Sequence, residues 1–290
     1  MFPRSSQPLA AGAALCLAVA SLSAQAATWS DTAIGYRYGT QFQEPGNSND
    51  VAKHVLQFTH ASGYALGQNF VNLDLLQSDS ADPARNSDEG ATEAYLVYRH
   101  QLHAGKVFDA PLAFGPVKDV ALSGGFDLNT KNTNFAPRKR QLLLGPTLKF
   151  DVPRGFLDLS LFYSHEWNHC GLDFPDSCSS QGNENDISFD PYYQLNLAWG
   201  LPFEAGALPM KFQGFFNLNG EKGEDYVGEE TAAEQLMRTS LMLDAGQLAG
   251  MGENTLWVGA GYEYWRNKFG NQDKPGVDTD ALMFQLEWHL

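Results

Sequence analysis

The chain closes with Leu282-Met283-Phe284-Gln285-Leu286-Glu287-Trp288-His289-Leu290. Successive side chains of an extended segment point to opposite sides. Leu282, Phe284, Leu286, Trp288 and Leu290 therefore make one apolar face, and Gln285, Glu287 and His289 fall on the other. The same period of two runs back through the sequence. Leu157, Leu159, Leu161 and Tyr163 alternate with Asp158, Ser160, Phe162 and Ser164. Leu142, Leu144, Leu148 and Phe150 alternate with Gln141, Thr147 and Lys149. Phe189, Tyr193, Leu195, Leu197 and Trp199 alternate with Ser188, Asp190, Gln194 and Asn196.

A soluble sandwich shows this alternation too, so three further features decide the reading. The segments are long, near ten residues, where soluble strands are typically about 5–6. Aromatics gather near segment ends, at Trp29, Tyr36, Tyr38, Phe150, Phe156, Trp167, Trp199, Phe203, Trp265 and Trp288. The connections alternate long and short. Together these predict an all-β protein, a transmembrane antiparallel up-and-down β-barrel of 12 strands. The strands are expected over 29–42, 51–62, 67–79, 91–103, 118–130, 138–152, 155–168, 186–200, 209–220, 232–245, 254–266 and 280–290. The segment 232–245 also reads as an amphipathic helix; it is assigned to a strand because a single-chain bacterial barrel needs an even count. Both termini then face the periplasm. The long connections, at 43–50, 80–90, 131–137, 169–185, 221–231 and 267–279, face outside and are acid-rich. The segment 104–117, with Pro111 and Pro116, is the exception, long yet on the periplasmic side.

Composition agrees. The 290 residues carry 19 Lys plus Arg against 34 Asp plus Glu, a formal charge of −15. This argues against a nucleic-acid partner, which needs a basic face, and against attraction to an anionic cytoplasmic leaflet. With 43% hydrophobic and 18% charged residues the chain is not disordered by composition. Residues 1–26 read as a secretory signal peptide: Arg4 gives the positive start, Leu9 to Ala20 the apolar stretch, and Ala24-Gln25-Ala26 a small-x-small cleavage site. Residues 27–290 then form one outer-membrane barrel domain, in a Gram-negative cell, after removal of the signal. Past residue 26 no apolar run approaches the ~18 residues of a membrane helix.

Cys16 leaves with the signal. Cys170 and Cys178 remain, close together in a polar connection, and in an exported chain they are expected to form a disulfide. A zinc site of His165, His169, Cys170 and Cys178 is the sharper alternative. No cofactor is expected.

If the apolar face points to lipid, the other face lines the lumen. It comprises Arg37, Lys53, Gln57, Asn72, Asp74, Glu93, Tyr95, Arg99, Asp127, Lys149, Asp158, Phe162, Glu166, Asp190, Tyr192, Gln194, Asn196, Lys211, Gln213, Phe215, Asn217, Arg238, Asp244, Trp257 and Glu263. Twelve strands leave a narrow interior that side chains line and partly fill. Tyr95, Phe162, Tyr192, Phe215 and Trp257 present rings on which a planar solute stacks. Arg99, Asp190, Gln194, Lys211 and Asn217 offer polar partners for hydroxyls. These ten residues are the candidate solute site, suited to a neutral, planar, hydroxylated compound, although rings that merely fill space are the plain alternative. Phe215 and Tyr192, on sequential strands, are expected to lie close together.

Two stretches carry a family resemblance. Phe58-Thr59-His60-Ala61-Ser62-Gly63-Tyr64, followed by Gly67-Gln68-Asn69-Phe70, Asp74 and Ser78-Asp79, resembles the second and third strands of the Tsx-like, OmpK-type outer-membrane channels. Phe114-Gly115-Pro116-Val117-Lys118-Asp119 resembles that family's Phe-Gly-Pro-x-Lys segment. The resemblance implies a monomeric twelve-stranded channel passing nucleosides or related solutes. It does not assign individual binding residues. One departure is the C-terminus: such barrels usually end in an aromatic residue, whereas this chain ends Trp288-His289-Leu290.

Two other functions compete. A plugged structural or receptor barrel would act through its loops, on outer-membrane lipid, lipopolysaccharide, phage or colicin. An outer-membrane acyl hydrolase would use His60 and Ser62, which share one face; both lie at the periplasmic end, away from outer-leaflet lipid. The chain has no Gly-rich phosphate loop, His-Glu-x-x-His or EF-hand spacing, so no enzyme is expected.

Overall fold

The computed structural model describes residues 27–172, 178 and 185–290; the expected signal peptide at 1–26 and most of the connection after His169 lie outside the described residues. The strands are β1 (Trp29–Phe42), β2 (Val51–Tyr64), β3 (Gly67–Ser78), β4 (Thr92–His103), β5 (Val117–Lys131), β6 (Arg140–Phe150), β7 (Phe156–His169), β8 (Asp186–Ser188), β9 (Tyr192–Ala205), β10 (Leu208–Asn219), β11 (Glu234–Asp244), β12 (Leu256–Arg266) and β13 (Thr279–His289). Apart from β8 and β9, which both pair with β7, each pairs antiparallel with its neighbours in sequence. β1 also pairs with β13, Tyr36 opposite Leu286, which closes the sheet on itself.

The short β8 and the longer β9 both pair with β7 and form a single stave. The break between them contains Pro191, which has no N–H to give to the ladder. The molecule is thus a closed barrel of twelve staves. Residues 234–244, which also read as a helix, are strand β11. Among the described residues the α-helices are α1 (Ala104–Val107) and α2 (Ala245–Leu248), single turns beyond the ends of β4 and β11. Between β9 and β10 the connection is only two residues, and Gly206 takes the positive φ of 66° that so tight a hairpin needs.

Side chains on all twelve staves sort by the alternation. Ile34, Leu56, Leu75, Leu122, Leu144, Leu161, Tyr193, Phe212, Leu241 and Phe284 lie on the outer wall and are exposed. Arg37, Lys53, Asp74, Asp127, Lys149, Asp158, Glu166 and Glu263 point inward and are buried. This reverses the polarity of a water-soluble protein, in which buried charges are exceptional. The outer wall is close-fitting in places. Trp199 is only 7% exposed because it lies across Gly214, whose missing side chain makes room for the indole, and beside Phe212, with ring centres 5.6 Å apart.

One placement departs from a simple alternation, and two inward side chains take particular partners at the strand ends. The break at 189–191 shifts the register by one residue, so Phe189, expected outward, is buried beneath Lys222, 4.1 Å from the ring centre. Trp265, one of the aromatics near segment ends, shares the inward face of β12 with Glu263, as the alternation requires, and donates its indole N–H to Glu234 at 2.6 Å. Asp244, expected on the lumen wall, caps α2: its carboxylate accepts the backbone N–H groups of Gln247 at 2.9 Å and Asn254 at 2.6 Å.

Candidate functional site: the lumen

The barrel has a turn end, with the termini and most of the short connections, and a loop end. Near the turn end Lys211 spans from β10 to Glu287 on β13 at 2.6 Å. Its ammonium sits 4.4 Å over the ring of Trp257, and Gln213 donates to the same carboxylate at 2.5 Å. On the opposite side Lys149 bonds Asp158 at 2.6 Å and Gln101 at 2.9 Å. Phe70, opposite inward-facing Arg99 and Ala61, remains 38% exposed. Solvent therefore reaches the inward face at Phe70.

In mid-barrel four charges meet. Arg37 pairs with Asp74. Arg238 reaches Glu263 at 2.7 Å and Asp74 at 3.4 Å. Asp74 is on β3 and Arg238 on β11, five staves apart around a ring of twelve, so this contact crosses the lumen. Asn72 supports Asp74 with a bond of 3.0 Å. Two guanidiniums against two carboxylates leave the cluster formally neutral, as buried charges require. The Arg238 guanidinium lies 5.8 Å from the ring centre of Phe215, a cation–π approach.

At the loop end Glu44 folds in from the connection after β1. It pairs with Lys53, with Lys131 at 3.0 Å and with Lys268 at 3.1 Å; Lys131 also bonds Asp82 at 2.8 Å. Burial alone would raise the Glu44 carboxyl, but Lys268, Lys53 and Lys131 outweigh it and hold it well below the usual carboxylate range. Beside this cluster Glu166 accepts from Lys222 at 2.8 Å and faces Lys139 at 3.4 Å.

The candidate residues fall into separate groups. Tyr192 and Gln194 are buried at the loop end, where the Gln141 amide donates to the Tyr192 hydroxyl at 2.9 Å. Phe162 is buried opposite Gln194. Tyr95 donates to Asp127 at 3.3 Å, and Arg99 pairs with the same carboxylate at 2.5 Å. Phe215 and Asn217 are half-buried in mid-barrel, Asn217 accepting from Asn196 at 2.6 Å. Lys211 and Trp257 stand together near the turn end. Asp190 is off the wall, exposed in the break beside Gly223. Phe215 and Tyr192 do not meet. Phe215 pairs with Ala198, six residues along β9 from Tyr192, or about 20 Å at ~3.3 Å per residue. Glu44, Lys131, Lys222 and Lys268, absent from the alternation because they lie in loops or at a strand end, are among the lumen residues that the sequence did not reveal, as are Lys139 and Gln101; Phe70 stands in the sequence only as part of a family motif.

Cys170 and Cys178 are joined in a disulfide. His165 bonds Ser188 at 3.1 Å and His169 bonds Asp186 at 3.0 Å, so the alternative zinc ligands are not assembled. His60 and Ser62 lie on the outer wall toward the turn end, where the His60 ring bonds the Thr32 hydroxyl at 2.8 Å.

No protein-family model matches the chain, and no curated protein matches it by sequence. Solved structures do match. The translocator domain of the autotransporter NalP from Neisseria meningitidis is 12% identical, with a TM-score of 0.45, over 97% of this chain and 95% of that one. The NanC porin is 9% identical, with a TM-score of 0.46, over 89% and 100%. The KdgM porin in complex with disordered oligogalacturonate is 8% identical, with a TM-score of 0.44, over 88% and 98%. These are outer-membrane barrels and porins; at such identities the likeness concerns the fold alone.

Proposed function

We propose that the chain is an outer-membrane channel for small solutes, with the Arg37–Asp74–Arg238–Glu263 cluster as its constriction. One observation carries this reading: a closed barrel with an exposed apolar outer wall and an interior of paired charges. Apolar surface of that extent is costly in water, and lipid removes the cost. Paired charges of both signs let a polar solute exchange hydrogen bonds along the path without meeting a net field. As cargo we propose nucleosides or related planar, hydroxylated compounds. Phe215 and Trp257 offer rings, Asn196, Asn217 and Gln213 offer amides, and binding at several weak sites favours conduction. The likeness to Tsx-like channels supports the cargo only indirectly, because its segments lie on the β2–β3 hairpin and at the start of β5 rather than at the constriction.

The plugged-barrel reading has its own support. The Asp74–Arg238 contact crosses the lumen, and the Glu44 cluster draws a loop over the mouth. Single-channel recording of residues 27–290 in planar bilayers, with nucleosides, sugars and amino acids added in turn, separates the two. The channel reading expects discrete conductance and graded block by nucleosides. Conductance with no solute preference removes the nucleoside assignment, and no conductance at all favours the receptor.

A further inference from the structure

The outer wall carries a groove that conduction does not use. It lies across β5, β6 and β7 near the loop end, lined by Phe126, Leu128, Arg140, Gln141, Leu142 and Trp167, with a volume of about 440 Å³. Register explains it. Leu128, Arg140 and Trp167 stand side by side on adjacent strands, with Phe126 and Leu142 in the next outward row. The His165 ring lies beside Trp167, tilted by 39° with ring centres 4.1 Å apart. Below, the groove runs into the apolar belt at Leu144. Above, the chain reads Arg138-Lys139-Arg140. Alternation turns Lys139 inward to Glu166 and leaves Arg138 and Arg140 exposed on the outer wall. The charged group facing them is Asp186, 4.0 Å from Arg140.

Two outward guanidiniums above an apolar slot are unusual in a chain of formal charge −15. Guanidinium binds phosphate through two parallel hydrogen bonds, and an apolar slot suits an acyl chain. We infer that this groove binds a phosphorylated, acylated lipid of the outer leaflet, with one acyl chain along Phe126, Leu142 and Trp167 and a phosphate on Arg140 and Arg138. The inference rests on the outer-membrane reading, since only there does the loop end meet such a lipid. Asp186 opposes the phosphate and so sets the affinity below its maximum.

The test is native mass spectrometry of the full mature barrel in detergent, titrated with synthetic bisphosphorylated lipid A, with its dephosphorylated form and with inorganic phosphate. The wild type should retain the bisphosphorylated lipid about tenfold better than the dephosphorylated one, as loss of charge-assisted hydrogen bonds predicts. The R138Q/R140Q variant should lose that preference, Leu142→Trp should weaken both lipids by filling the groove, and Asp186→Asn should tighten the phosphorylated one. Competition by inorganic phosphate at equal concentration would show a free-anion site and overturn the lipid assignment. Equal retention by wild type and R138Q/R140Q would overturn it as well. Heat-dependent gel mobility of each variant confirms that the barrel is folded, and membrane fractionation of cells tests the outer-membrane reading separately.

Discussion

The Arg238 guanidinium is shared between Glu263 and, across the barrel, Asp74, which makes it the constriction of the proposed channel. Removing Arg238 alone would strand two carboxylates with one cation, and an unpaired buried charge costs about 3–5 kcal/mol. The R238A/E263A double variant instead removes one charge of each sign. It should fold, break the crossing contact and raise the open-channel conductance; an unchanged conductance would place the constriction elsewhere. Phe215 lies 5.8 Å from the same guanidinium, so in the proposed channel its ring is the one a planar solute would meet there. Phe215→Ala should weaken nucleoside block by about tenfold, as the loss of one stacking ring worth ~1–3 kcal/mol predicts. Tyr192→Phe, which removes only the hydroxyl bonded to Gln141 at the loop end, should leave block unchanged. Concentration-dependent block of single-channel current measures both. Alternation identified the inward faces that carry Arg37, Asp74, Arg238, Glu263 and Phe215. It did not show which of them reach across the barrel, because that depends on side-chain length and on strand positions around the ring.

At the scale of elements, long alternating strands were legible and their interruptions were not. Pro191 was visible in the sequence, yet the register shift it accompanies moved Phe189 inward and Asp190 off the wall, since every position past a bulge changes face. Loops carry no period, so nothing in the sequence announced that Glu44 folds inward to meet Lys53, Lys131 and Lys268. This contact has a defined pH dependence. A carboxyl held below its ordinary value of 4.5 contributes stability that is complete above that value and is lost as pH falls through the lower, folded value. Hydrogen exchange of the 43–50 backbone should therefore remain slow down to pH 5 and accelerate only well below 4.5. Glu44→Gln should show fast exchange already at neutral pH. Fast exchange in the wild type at pH 6 would mean that the loop is not held by this cluster.

For the whole molecule, the decisive property is the inverted distribution of polarity, and one substitution tests it directly. Leu144 stands on the outer wall in the middle of β6, 58% exposed, with Tyr163 and Gly124 beside it. In water an exposed leucine replaced by arginine changes stability by less than about 0.5 kcal/mol. In the middle of a bilayer the same change costs about 2–4 kcal/mol, because the guanidinium loses its water. Ser160, buried on the inward face of β7, is the matching control for overpacking of the interior, since an arginine there would strain the wall in either setting. The barrel should be heat-modifiable on gels and recovered with outer membranes. Refolded into lipid bilayers and titrated with urea, Leu144→Arg should lose those ~2–4 kcal/mol. In detergent-free buffer the wild type should not remain soluble. Equal urea midpoints for wild type and Leu144→Arg, together with a soluble wild type, would mean that the apolar belt faces a protein partner or water instead of lipid. The channel, its cargo and the lipid groove would then fall together, since each depends on where that belt lies.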